Sequence, residues 1–220
     1  MLNLPFEPEI RDYVDNYVKK HLPREGAQWY IDYFSFIDDQ QLMTKLAHEF
    51  LATQYMYKIF EGLKANEWLQ VAQVKMQIIQ YASIYEAVIH HLLFKHMSFH
   101  PNVQALQKQQ VLKRISVSKE LNELWHDGKK IITTYQAFEV RDIAKVRFDE
   151  KARVFQDLGF INESLANDII LLYSHRNAVH LHAEIRKQLA YELTLSRMAY
   201  RRMLPFKDQV CRQLTAIRIL

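Results

Sequence analysis

The ten residues YSHRNAVHLH, Tyr173 to His182, concentrate the side chains best suited to chemistry. Arg176 and His180 are four residues apart, about one helical turn, and His182 follows two residues later. An imidazole titrates near neutrality, so it can take or deliver a proton in a transition state. A guanidinium stays charged and forks onto phosphate oxygens, where it stabilises charge that builds up during reaction. The pair suits cleavage of RNA, because the ribose 2′-hydroxyl supplies the nucleophile and no metal is required. Asn177 flanks the pair as a hydrogen-bond donor and acceptor. The competing reading is structural: an Arg-Asn-x-x-His near a helix C-terminus satisfies terminal carbonyls and the helix dipole.

A helix must carry this motif. Asn162 is a good N-cap for it. Leu165, Ile169, Leu172, Tyr173, Arg176 and His180 then follow at helical spacing and are expected to share one face. A cation continuing an apolar stripe is partly desolvated, so it needs a partner or an anionic ligand. Glu86 is a candidate partner, on a long helix predicted from Trp68 to Met97. The stripe Ile78, Ala82, Tyr85, Ile89 and Leu92 defines the buried face of that helix.

The remaining elements read as mostly helical. Only four glycines and five prolines occur in 220 residues. Pro5 and Pro8 open a helix from about Glu7 to His21. Asp38 reads as an N-cap, with Gln41 as its capping-box partner, for a helix reaching about Gly62. Residues 103–127 suggest one or two shorter helices, and Asp127-Gly128 marks a turn. The stretch KKIITTYQAFEV is rich in β-branched and aromatic residues and reads as a strand or small hairpin. Lys151 to Leu158 is expected to be helical, stopped by Gly159. A last long helix is predicted from Ala183 to Met203, broken by Pro205.

The single Cys211 excludes an internal disulfide and a multi-cysteine zinc site, and fits a reducing, cytoplasmic compartment. The opening MLNLPFEPEIRDYV turns acidic where a signal peptide would be apolar. No run of ~18 apolar residues calls for a membrane. Charge is uneven: residues 1–70 hold 7 Lys/Arg against 11 Asp/Glu, whereas residues 184–220 hold 8 against 3. A basic C-terminal stretch favours a phosphate-bearing partner, and equally reads as a solvated face. No P-loop, dinucleotide-binding or nucleophile-elbow motif occurs.

Other clusters are weaker. His96 and His100 have i, i+4 metal-pair spacing within the group His90, His91, His96 and His100. No acidic residue or cysteine lies close by in sequence, so ordinary surface or core histidines are expected, with no metal. Trp29, Tyr30, Tyr33, Phe34 and Phe36 lack interleaved cations and read as core or a protein contact, although aromatic residues can also stack bases. Arg197 and Arg201 share a helix face that would either follow an RNA backbone or be solvated.

The segment DLGFINESLANDIILLYSH followed by RNAVH resembles the signature region of HEPN domains. YASIYEAVIHHLL, residues 81–93, is similar to the earlier long helix of that family. The resemblance covers about residues 68–203. It implies an all-α bundle that dimerises, with Arg and His of two protomers in one cleft, and a metal-independent endoribonuclease of toxin–antitoxin or phage-defence systems. By position, Arg176 would contact phosphate, Asn177 would orient the site, and a histidine would act as general acid and base. His180 fits the helical geometry. His182, with five residues between it and Arg176 where His180 has three, fits the family's wider spacing. Some HEPN relatives serve as non-catalytic scaffolds. The expectation is therefore an all-α, HEPN-like bundle over 67–220, with an N-terminal helical extension over 1–66 and room for one small β-hairpin. Its expected partners are an RNA substrate, a second copy of the chain, and an antitoxin or defence protein; no cofactor and no membrane are expected.

Overall fold

Four helices open the chain in the computed structural model, which describes residues 6–115 and 123–219. They are α1 (Pro8–Lys19), α2 (Ala27–Tyr33), α3 (Gln40–Gly62) and α4 (Glu67–His91). Pro8 stands in the first turn of α1, where its missing N–H costs no helical bond. Pro5 lies outside the described residues.

The N-cap of α3 is Asp39, not Asp38: its carboxylate accepts from Leu42 N–H at 2.9 Å. The one-residue shift leaves the Asp38 side chain free for other partners. The predicted stripe on α4 is borne out, with Ile78, Ala82, Tyr85, Ile89 and Leu92 all buried. The helix is shorter than expected. It passes at Leu92–His96 into a π turn, closed by Met97 N–H donating to Leu92 O at 3.2 Å. Pro101 starts the next helix, α5 (Pro101–Leu106).

After α5 the helical expectation over 103–127 fails. Strand β1 (Lys108–Arg114) runs there instead, and residues 116–122 of that stretch lie outside the described residues. The short strands β2 (Trp125–His126) and β3 (Lys129–Lys130) form a hairpin around the predicted turn, with positive φ at both Asp127 and Gly128. Strand β4 (Thr134–Val140) returns antiparallel to β1, pairing Lys108 with Val140 and Arg114 with Thr134. The result is an exposed ribbon. Arg141 fixes its base, donating from Nη2 to Leu106 O at 2.8 Å and pairing with Glu150.

Helix α6 (Phe148–Asp157) ends before Gly159, whose φ of +79° is left-handed as a C-terminal stop requires. Asn162 caps α7 (Glu163–Arg176) by accepting from Leu165 N–H at 2.9 Å. The predicted last helix is divided into α8 (Leu181–Lys187) and α9 (Leu193–Arg201), with Gln188 left-handed between them. Pro205 lies in the first turn of α10 (Met203–Ala216), where it is tolerated.

The architecture is all-α with a small β ribbon. Helix α4 is its axis, packing on α3, α6, α7 and α9. One hydrophobic cluster runs from Tyr30 to Leu214 and crosses the boundary at residues 66 and 67. The early aromatics belong to it: the Phe50 ring centroid lies within 6.3 Å of those of Trp29, Tyr30, Tyr33, Phe34, Tyr81 and Tyr200. Among the described residues, no helix is long and apolar enough to cross a membrane.

Candidate functional site

Arg176 is the last residue of α7, and the helix does not carry the motif further. Ala178 N–H tightens onto His175 O at 3.0 Å, and the Tyr191 hydroxyl donates to the same carbonyl at 3.0 Å. Ala178 is buried, and Val179 packs on the core. The chain then restarts as α8, with His180 at its N-cap position and His182 in its first turn. The shared face expected for Arg176 and His180 is therefore absent. The two residues lie on either side of a break, and the geometric preference for His180 over His182 goes with it.

The Arg176 side chain is held by its neighbours. Nη1 donates to the Tyr173 hydroxyl at 3.1 Å and to Asn177 Oδ1 at 3.2 Å. The Tyr173 hydroxyl donates in turn to Glu86 Oε1 at 3.1 Å. Glu86 Oε2 is 3.9 Å from Arg176 Nη2, so the expected pairing is present as a long ion pair. The Tyr173 ring stacks on Phe148 at 4.1 Å, and the guanidinium carbon sits 5.0 Å from the same ring centroid. Burial pushes the Tyr173 hydroxyl above its ordinary value, helped by the nearby Glu86 charge. The arrangement orients the guanidinium, yet about a third of the Arg176 side chain stays exposed, at 35 %.

A cleft of about 430 Å³ opens beside this chain of contacts. Glu86, Arg147, Tyr173, Ser174, Asn177 and Lys187 line it. It brings together two cations, two carboxylates (Glu86, and Asp149 paired with Arg147) and the motif asparagine, whereas Arg176, His180 and His182 lie outside its wall. His180 and His182 are both exposed, and neither forms a side-chain hydrogen bond or ion pair among the described residues. Their backbone is anchored nearby, since Glu184 on α8 pairs with Lys75 of α4 at 2.6 Å. The third histidine of the motif, His175, is structural: it is buried, and Nδ1–H donates to Leu171 O at 2.9 Å.

The other histidines also find places that sequence spacing did not show. His100 caps α5 by accepting from Asn102 N–H at 3.2 Å and is not paired with His96. His91 and His96 instead both reach Asp38, at 2.8 and 3.2 Å. Burial works against ionisation of Asp38, but hydrogen bonds from Lys95, His91 and His96 overcome it and hold the carboxyl below the ordinary carboxylate range. His90 accepts from the buried Lys151 ammonium at Nδ1, 3.2 Å away. Arg197 and Arg201 border a separate cavity of about 360 Å³ with Tyr57, Tyr81 and Tyr200.

The Lys151–His90 contact has a pH consequence. Burial, reinforced by the Lys151 charge, lowers the His90 value from the ordinary 6.5. The unfolded chain therefore takes up a proton that the folded chain resists. Stability should decline as pH falls from 6.5 to the lowered folded value and then level off. Urea midpoints between about pH 7.5 and pH 5 should show this slope, and His90→Gln should flatten it.

No family model, curated protein or solved structure matches the chain.

Proposed function

We propose that the chain is a metal-independent endoribonuclease of the HEPN type. It acts as a homodimer in phage defence or a toxin–antitoxin system. Arg176 holds phosphate, Asn177 orients it, and His180 or His182 moves the proton. The observation that carries this reading is the partly exposed guanidinium, steered by Tyr173 and Asn177 and followed in the chain by two exposed histidines without side-chain partners among the described residues. The surface around them favours a second copy. Leu181 and Ile185, one turn apart on α8, are 71 % and 74 % exposed and flank His182. A symmetry-related α8 would cover both and bring two sets of cations to one phosphodiester.

The purified chain should cut RNA in excess EDTA and leave 2′,3′-cyclic phosphate ends. RNA that stays intact at every protein concentration would defeat the reading. The competing proposal, a non-catalytic scaffold, draws on the ribbon. Leu112, Phe138 and Val140 stand exposed there and would dock an antitoxin or another defence protein.

A further inference from the structure

Asp38, His91 and His96 converge at the C-terminal end of α4. Their potential ligating atoms all lie within 4.8 Å of one another. His91 and His96 are five residues apart, which on a regular α-helix sets two side chains ~140° apart around the axis. The π turn removes that difference. Its i→i+5 closure brings the two imidazoles to one side, with ring centroids 5.5 Å apart. Both Nε2 atoms address the same oxygen, Asp38 Oδ1. The shifted cap at Asp39 is what leaves this carboxylate available.

We propose that Asp38, His91 and His96 form a binding site for Zn²⁺, with Asp38 Oδ1 and the two imidazole Nε2 atoms as ligands and solvent in the fourth position. Two imidazoles and one carboxylate suit an ion that takes mixed nitrogen and oxygen donors at about 2.0–2.2 Å in a tetrahedron. Calcium and magnesium prefer all-oxygen shells. The His91 and His96 side chains are only 9 % and 17 % exposed, so their positions are set by packing. Asp38 is 49 % exposed and leaves an entry path. Lys95 holds the outer oxygen, with Nζ 3.0 Å from Oδ2, so the carboxylate would ligate through Oδ1 alone. Asp39 adds a second negative charge next in the chain. A bound ion ties the loop before α3 to the end of α4. Its ligands share no hydrogen bond or ion pair with Arg176, and it is independent of the ribonuclease reading, whose own test is run in EDTA.

Titration of the metal-free chain with ZnCl₂ should show one tight site per chain. Binding should weaken as pH falls and the imidazoles protonate. His91→Gln, His96→Gln and Asp38→Asn should each weaken it at least about tenfold. His48→Gln, an exposed histidine on α3, should leave it unchanged. In the wild-type chain, imidazole nitrogen NMR should show Zn²⁺ moving the Nε2 resonances of His91 and His96, so the answer survives even if a variant folds poorly. Co²⁺ should give the visible bands of a four-coordinate ion. Absence of a stoichiometric site, or Zn²⁺ shifts confined to other histidines, would overturn the proposal.

Discussion

Arg176→Ala should lower RNA cleavage by about 10²–10³-fold, the usual cost of removing one preorganised charge-stabilising group. The change should act on kcat more than on KM, because the guanidinium matters most as charge develops on the phosphate. The fold should survive: about a third of the Arg176 side chain is exposed, and the Tyr173–Glu86 hydrogen bond does not pass through it. A far-UV spectrum and a urea midpoint near wild type would separate lost chemistry from lost structure. His180→Ala and His182→Ala, assayed in parallel, identify the proton-transfer group. The functional histidine should cost about 10²–10⁴-fold and the other almost nothing. Full activity in Arg176→Ala would remove the basis of the ribonuclease proposal. Unfolding of that variant would assign the arginine to the structural role that a helix C-terminus also supports.

Phe50→Ala should destabilise the chain by about 3–5 kcal/mol, among the largest single-residue effects available. Phe50 is fully buried at the point where rings from α2, α4 and α9 meet it. Removing the ring leaves a cavity that several secondary-structure elements would have to collapse together to fill. Urea unfolding of the wild type should show coincident transitions by far-UV circular dichroism and by tryptophan fluorescence, to which Trp29, 6.2 Å from Phe50, contributes. An earlier fluorescence transition would mean that the N-terminal helices unfold as a separate unit despite the shared core.

Much of the fold was legible because local chemistry and tertiary packing agreed. The Ile78–Leu92 stripe, the Asn162 cap, the Gly159 stop and the Asp127-Gly128 turn each rest on interactions within a few residues. What sequence did not show rests on distant contacts. Strand β1 reads KQQVLKR, a polar stretch with no clear alternation, and its partners on β4 lie twenty or more residues away. The helix break after Arg176 carries no glycine or proline. It is set by burial of Ala178 and by the Tyr191 hydroxyl on the His175 carbonyl. The residues of the candidate site could be named from sequence, but not their geometry: the steps of three and four that joined His180 to Arg176 assumed a helix that tertiary contacts end. Asp38 and His91 are 53 positions apart, and the π turn that aligns His96 with them has no compositional signature.

A ribbon of two strands has no interior strand, so β1 and β4 each leave one edge unpaired. Such edges invite a neighbouring chain to add another strand. Lys108 and Arg114 on β1, with Lys129 and Lys130 in the β2–β3 hairpin between the two strands, give the ribbon mutual repulsion against that stacking, while Lys113 is paired with Glu139. This protection is electrostatic and shortens with the Debye length, about 10 Å at 0.1 M salt and about 3 Å at 1 M. Concentrated protein should therefore tend toward ordered aggregation as ionic strength rises, starting at the ribbon and leaving the helical bundle intact.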